Sequence, residues 1–487
     1  MTKSTAWFTG EDAKMAFNLF CCVYGVGTLG MPGNFSRAGP GLAIVAMLFM
    51  ALANIYASVV CSKVMLLAPR TVKTFGDLGE WCMGKTGRWI IVVSHSLVCI
   101  LVPCLYLVLG GTILPGLFPG TFSDTTWIIF MAVSLLPVCL IPTLKEGAGA
   151  AFAGCLGTIL ADVVGMAVLF RGQEGHPSVP KPDVTLDQVA MTFGNLSLAY
   201  AAGIVIPALQ RQHSEPARMP RVIFVTLVIV SVFFITLAST GYTTIGCQIA
   251  GNLLFSIFPD ETTGLSKLGF RPNKGWAVMA YLLMQLHITI AFAVILHPAL
   301  YVFERALLGM HKRHEDDIES LQYAAAETPA EEIKARMSKS SVVSMADIAR
   351  EIDDEYDEAQ DYKGQGHKYI PMRIIVIALM TGFSILLKDH FSDLADFIGA
   401  SCISVSCMIM PIVFYFKKLW TQIPMWEKGF GSLVIVASAV LGTYVTIQTG
   451  KALFKSADDP NAPMFPFCHP EFENEVYYNA TAVQLGL

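Results

Sequence analysis

Residues Gly41–Leu67 read GLAIVAMLFMALANIYASVVCSKVMLL and carry one charge, Lys63. A helix crosses the hydrocarbon of a bilayer in roughly 20 mainly apolar residues, so this stretch suffices on its own. In lipid only helices and closed barrels satisfy their own backbone. A barrel needs alternating strands of about 10 residues, and no such alternation runs through the chain. The 487 residues are 54% hydrophobic and 15% charged, against about 25% charged in a soluble domain. A large soluble protein would divide that apolar content into shorter periodic stretches. The sequence therefore predicts an all-α integral membrane protein.

Eleven spans are expected: Ala13–Phe35, Gly41–Leu67, Arg88–Leu114, Trp127–Ile141, Ala150–Phe170, Val189–Leu209, Arg221–Ile245, Trp276–Phe303, Ile374–Leu387, Leu394–Phe416 and Phe430–Ile447. The fourth and ninth are the shortest. Lys and Arg favour cytosolic loops. With residues 1–12 in the cytosol, 24 basic residues fall inside and nine outside. Leaving out the ten from Arg305 to Arg373, the ratio is 14 to nine. An odd number of spans then puts the tail, 450–487, outside. Its Asn479-Ala480-Thr481 triplet is a glycosylation sequon that only an outside tail can use. The opening MTKSTAWFTGEDAK has no apolar core of a cleavable signal peptide, so the first span is expected to direct insertion.

Residues 309–370 separate spans 1–8 (13–308) from spans 9–11 (371–449). This segment holds 15 acids and 8 bases, so it carries −7 of a chain whose net charge is −5. It reads as a cytosolic, largely disordered insertion with one helix around TPAEEIKARM, either a solvated linker or a docking segment. No basic patch interleaved with aromatics points to nucleic acid. The 12 cysteines show no metal-type spacing, and no cofactor or metal is expected. Cys247 and Cys468 both fall in segments placed outside, which leaves a disulfide between them open. HExxH, GxSxG and paired carboxylates are lacking, so the chain is not expected to be an enzyme.

Span one contains Tyr24-Gly25-Val26-Gly27-Thr28-Leu29-Gly30-Met31-Pro32. Three glycines and a proline in nine residues are poor helix material. A broken helix at membrane depth is tolerated where it lines a cavity or is buried in protein. Its freed N–H groups can hold an anion and its loose carbonyls a cation, a match for a zwitterion. The alternative is that the glycines serve close helix packing. Span six, Phe193 to Pro207, is likewise rich in small residues and ends near a proline. It lies five spans after the first, and two repeats of five spans must face opposite ways. Matching interruptions in inverted halves point to a transporter's central site.

Ionisable residues inside spans are functional candidates. Asp162 lies in span five, His95 in span three, His287 with Thr289 in span eight, and Asp396 in span ten. A His or Asp can carry a coupling proton; each can equally be a packed, hydrogen-bonded group. Arg37 and Asp396, both near the outer face, are candidates for an outer gate pair.

Four ordered segments resemble the amino acid/auxin permease family: Asn18-Leu19-Phe20 through Pro32 with Ala38-Gly39; Thr74–Gly79 with Gly84–Arg88; Phe193-Gly194 through Tyr200 and Pro207 to Glu215-Pro216; and Phe391–Leu394 with Ile398-Gly399-Ala400. The resemblance implies eleven helices, the inverted five-plus-five repeat first seen in the bacterial leucine transporter plus one extra helix, and alternating access. It assigns the substrate carboxylate to the backbone of Gly25, Val26, Gly27, Thr28 and Leu29. It assigns the amine to carbonyls around Ser197, Leu198 and Tyr200, beside Ala201. Tyr106 would border the substrate, and Thr289 would help form a sodium site or its proton-coupled counterpart. The implied function is proton-coupled symport of amino acids, or sodium-coupled symport, by a monomer in the plasma membrane or a vacuolar or lysosomal membrane. The rival is an amino acid sensor that signals through the cytosolic insertion.

Overall fold

Thr9, Thr74 and Thr185 each start a helix in the same way. The Thr9 and Asp12 side chains bond one another's backbone N–H groups, as do those of Thr74 and Asp77, and of Thr185 and Gln188. Such capping boxes satisfy two N–H groups that a helix start leaves without partners. The helices they open are α1 (Gly10–Val23), α3 (Phe75–Leu117) and α6 (Leu186–Ala199). The computed structural model describes residues 7–69, 72, 74–141, 147–172, 180–260, 263–310, 362, 364–455 and 463–476. Most of the acidic insertion lies outside the described residues, as does the sequon.

The other elements are α2 (Met31–Leu67), α4 (Asp124–Cys139), α5 (Gly147–Gly172), α7 (Ile206–Gln212), α8 (Met219–Ile245), the single turn α9 (Leu253–Ser256) and α10 (Lys274–Leu308). They are followed by α11 (Gly366–Leu386), α12 (Phe391–Ile398), a π-helical stretch over Gly399–Ile409, α13 (Met410–Leu419) and α14 (Met425–Ala452). The described residues contain no strand, only two isolated bridges.

Among the described residues, eight helical stretches are long and apolar enough to cross a membrane. The first, Val26–Leu67, joins the outer half of expected span one to all of span two. The chain turns between them at Gly39, whose φ of 68° is a left-handed conformation that favours glycine, followed by Pro40. Span six does not qualify because α6 and α7 are separate, and α4 is shorter at 16 residues. Span nine is longer than expected, since α11 begins at Gly366.

Side chains sort as a bilayer requires. Val45, Val163, Leu379 and Val440 are exposed and meet lipid without cost, while polar groups turn inward. Glu304 and Arg373 are each 0% exposed. Arg373 Nε donates to Glu304 Oε1 at 2.7 Å, and Tyr362 donates to Glu304 Oε2 at 2.7 Å. Arg373 Nη1 donates to the Cys139 and Ile141 carbonyls at the end of α4. This cluster ties both roots of the insertion to the bundle.

Elsewhere the packing is close. A Cβ on Gly399 would lie 1.9 Å from the Gly194 carbonyl oxygen, whereas Gly382 on α11 has nothing within 4 Å. Gly399→Ala is therefore expected to destabilise by about 2–3 kcal/mol through overpacking, and Gly382→Ala to be neutral or slightly stabilising. Thermal unfolding of the two purified variants measures the contrast; equal midpoints would contradict it.

Candidate functional site

Both interruptions read from the sequence are present. α1 ends at Val23, Tyr24 and Gly25 are extended, and Val26–Gly30 form a short 3-10 turn before α2. The first N–H groups of such a turn have no partner within it. In the second interruption α6 ends at Ala199, Tyr200–Val205 form turns, and α7 restarts at Ile206. The two touch. A Cβ on Gly27 would lie 2.8 Å from Ala199 Cα, and one on Gly30 2.2 Å from Asn195 Nδ2. Asn34 Nδ2 donates to Asn195 Oδ1 at 3.0 Å just above them. The glycines thus interrupt the helix and also let the segments meet, so the two readings of them hold together.

Buried polar atoms converge on the first interruption. Asp162 on α5 is 2% exposed; its Oδ2 accepts from the Tyr24 hydroxyl at 3.0 Å, and its Oδ1 has no partner. The Thr28 hydroxyl lies beside that carboxyl and is likewise unpartnered, as is Ser197 Oγ in α6. His287 on α10 sits 3.1 Å through Nδ1 from the Gly154 carbonyl. A carbonyl only accepts, so Nδ1 carries the proton and the neutral ring presents the Nε2 lone pair. That nitrogen has no partner and lies 3.3 Å from where a Gly25 Cβ would be. The Tyr106 ring meets the His287 ring edge-on at 6.0 Å. Buried polar groups are nearly always hydrogen-bonded, so such a cluster marks a place for a ligand, ion or water.

Other expected residues are placed differently. Val26 and Leu198 line a narrow cleft with Asn34, Leu105, Asn195 and Phe391. Across one end of it Arg37 Nη1 pairs with Asp396 Oδ2 at 2.5 Å. Leu29 is fully buried and Ala201 half-buried. The Tyr200 hydroxyl donates to Ser231 Oγ at 2.7 Å, and its ring packs on Phe234. Its side chain therefore points to α8, and its backbone alone belongs to the interruption. Thr289 is a correction. It is exposed on α10, with its hydroxyl bonded to the Gln285 carbonyl of its own helix. Two residues from buried His287 is about 200° around a helix, which turns Thr289 to the opposite face and away from any ion site. His95 is half-buried on α3.

Sequence reasoning missed a second buried cluster, at the start of α1. Asp12, in the first turn of α1, is 1% exposed. Arg218 Nη2 donates to its Oδ2 at 2.7 Å, and Arg218 Nε lies within 3.1 Å of both oxygens. The Glu215 N–H donates to His213 Nδ1, so the neutral His213 ring keeps its proton on Nε2 and gives it to Asp12 Oδ1 at 2.9 Å. Glu11 accepts from the Ser214 N–H and hydroxyl. The start of α1 is thereby tied to the segment after α7. Nothing local in the sequence marks Arg218 as the partner of Asp12. Burial would raise the Asp12 pKa, yet hydrogen bonds from Arg218, the Thr9 N–H and His213 hold it far below the ordinary value. One buried ion pair thus lies on each side of the interruptions.

The family described as "Transmembrane amino acid transporter protein" matches residues 10–450. Amino acid transporter AVT1I of Arabidopsis thaliana is 23% identical over 254 residues, 50% of this chain and 62% of that protein. Vacuolar amino acid transporter 7 of Saccharomyces cerevisiae is 24% identical over 306 residues, 60% of this chain and 58% of the relative. The match thus spans about three fifths of each. Amino acid transporter ANT1 of Arabidopsis thaliana is 21% identical over 90% of this chain and 94% of its own length. These relatives are transporters, not enzymes.

A depressed pKa contributes stability above the ordinary carboxylate range that is lost only as pH falls through the lowered value. Asp12→Asn is therefore expected to lower the thermal midpoint by the same margin at pH 8 and pH 5. The margin closes only well below about pH 3.9, the ordinary Asp value. Unfolding of both proteins across that range tests this; a margin already closed at pH 5 contradicts it.

Proposed function

The chain belongs to the transmembrane amino acid transporter family, and from that premise we propose that it is a proton-coupled secondary transporter of amino acids. The observation that carries this reading is the contact of two interrupted helices, with unpartnered buried polar atoms beside them and one ion pair at either end. A zwitterion placed there meets both chemistries it needs. Its carboxylate takes N–H groups of Gly25, Val26 and Gly27, beside Leu29 and Thr28, whose own N–H is bonded to the Gly25 carbonyl, at the positive end of the half-helix that follows. Its ammonium takes carbonyls of Ser197, Leu198, Tyr200 and Ala201, with Tyr106 and His287 on the flank.

In this reading the architecture is eleven spans, ten of them in two inverted halves, with the amino terminus cytosolic and the carboxyl terminus extracytosolic. The two interruptions belong to the first helix of each half. Parting of Arg37 from Asp396 opens the outer side, and parting of Asp12 from Arg218 opens the inner side. Asp162 carries the coupling proton. Protonation turns its unpartnered Oδ1 into a donor inside the first interruption, next to Thr28, so proton and substrate stabilise the same closed arrangement. Two ligands that favour one state bind cooperatively. Sodium is the alternative coupling ion. A monomer in the plasma membrane or a vacuolar or lysosomal membrane suffices. The sensor alternative draws no support from the relatives, which are named as transporters.

Uptake of a panel of radiolabelled amino acids into proteoliposomes tests this. Uptake is expected under an inside-alkaline gradient and is expected to fall by roughly tenfold or more, about 1.4 kcal/mol, in Asp162→Asn. Proton-driven uptake unchanged in that variant removes Asp162 from the relay. Absence of flux under proton and sodium gradients, with amino acid binding retained, refutes transport.

A further inference from the structure

Arg37 has a second partner, far from it in sequence. Its guanidinium carbon lies 5.3 Å from the centre of the Phe467 ring. Phe467 is half-buried in the segment 463–476, beyond the last long helix. That segment is anchored in four ways. Cys468 forms a disulfide with Cys247, just after α8. Cys468 also pairs with Pro182 in an antiparallel bridge, and the Asp183 N–H donates to the Phe467 carbonyl at 3.0 Å. The Cys247 N–H donates to the Pro180 carbonyl. Gln248 Nε2 donates to the carbonyls of Phe472 and Glu475. The partner strand of this bridge reaches the same helix end as Arg37, since a Cβ on Gly39 would touch Val184 and Pro182.

We propose that Phe467 is the positioning residue of the outer ion pair, and that the disulfide-anchored segment is the rigid mount that holds it. A long Arg side chain carries about 2 kcal/mol of rotamer freedom. A flat ring laid against the guanidinium removes part of that freedom and leaves Nη1 aimed at Asp396, with Asp393 adding negative charge nearby. A guanidinium stacks on an aromatic face while keeping its edge free for a carboxylate. The stack and the ion pair therefore cooperate. The mount is covalently linked to the end of α8, so opening the outer side requires Arg37 to leave both partners.

This rests on reading Arg37–Asp396 as a gate, so the test reads opening rather than transport. A reporter cysteine replaces Val26, which is 6% exposed at the base of the cleft. Its reaction with a hydrophilic maleimide is followed in detergent-purified full-length protein, after subtracting the parent chain. Phe467→Ala is expected to speed labelling about fivefold, the scale of one cation–π contact, and Phe467→Trp to keep the parental rate. Replacing Cys247 and Cys468 together by Ser, which frees the mount without touching Arg37 and leaves no new thiol for the maleimide, is expected to speed labelling as well. In an Arg37→Gln background Phe467→Ala is expected to add nothing, because its effect runs through Arg37. An unchanged rate in Phe467→Ala, beside faster labelling in Asp396→Asn, overturns the proposal and leaves the gate standing. An unchanged rate in both overturns both. An equal acceleration by Phe467→Ala with and without Arg37 reduces Phe467 to general packing and also overturns it.

Discussion

A backbone N–H or C=O in hydrocarbon must find a partner inside the protein, and each failure costs several kcal/mol. The arrangement of this molecule follows from that constraint. An unbroken apolar helix meets it alone and can face lipid, as α14 does along Val436 and Val440. An interrupted helix cannot. The Val26–Gly30 turn is fully buried, and Tyr200–Val205 is buried or half-buried. The first interruption is walled by α5, by His287 of α10 and by the end of α6, and the second by Cys407 of the π-helical stretch, against Gly203. The bundle around them exists to keep lipid away from backbone that the interruptions leave unspent.

The two ion pairs suit reversible parting. A buried pair gains in Coulomb energy about what it loses in desolvation, whereas leaving one partner buried alone costs about 3–5 kcal/mol. Arg37–Asp396 and Asp12–Arg218 are therefore cheap to separate when both members meet water together, and expensive when only one does. That asymmetry favours concerted opening of one end over partial loosening of both. Glu304–Arg373 is built differently. Arg373 is also stacked on Tyr362 and Tyr369 and bonded to two carbonyls of the α4 end, and both members of the pair are 0% exposed.

What the sequence revealed depended on range. Long apolar runs, the glycine interruptions and a carboxylate inside a span are local signals, and each was legible. The Arg37–Asp396 pair bridges 359 positions and was reached only because both residues fall near one face. Asp12–Arg218 bridges 206 positions and was missed, since neither residue is unusual in a polar segment. Thr289 was placed in a site by the family resemblance, without regard to helical phase; His287, two positions earlier, takes the inward face. The break between the first two spans, expected over residues 36–40, falls at Gly39, where the left-handed backbone turns the chain.

The cluster of Glu304, Tyr362 and Arg373 makes the acidic insertion a closed loop, with both roots fastened at one spot on the bundle. For a loop with fixed ends, doubling the length costs only about 0.6 kcal/mol of closure entropy. The helices therefore feel whether that knot is tied, and feel little of how many residues hang from it. Sequence between those roots can be lengthened, shortened or exchanged by evolution with the membrane-spanning helices left undisturbed.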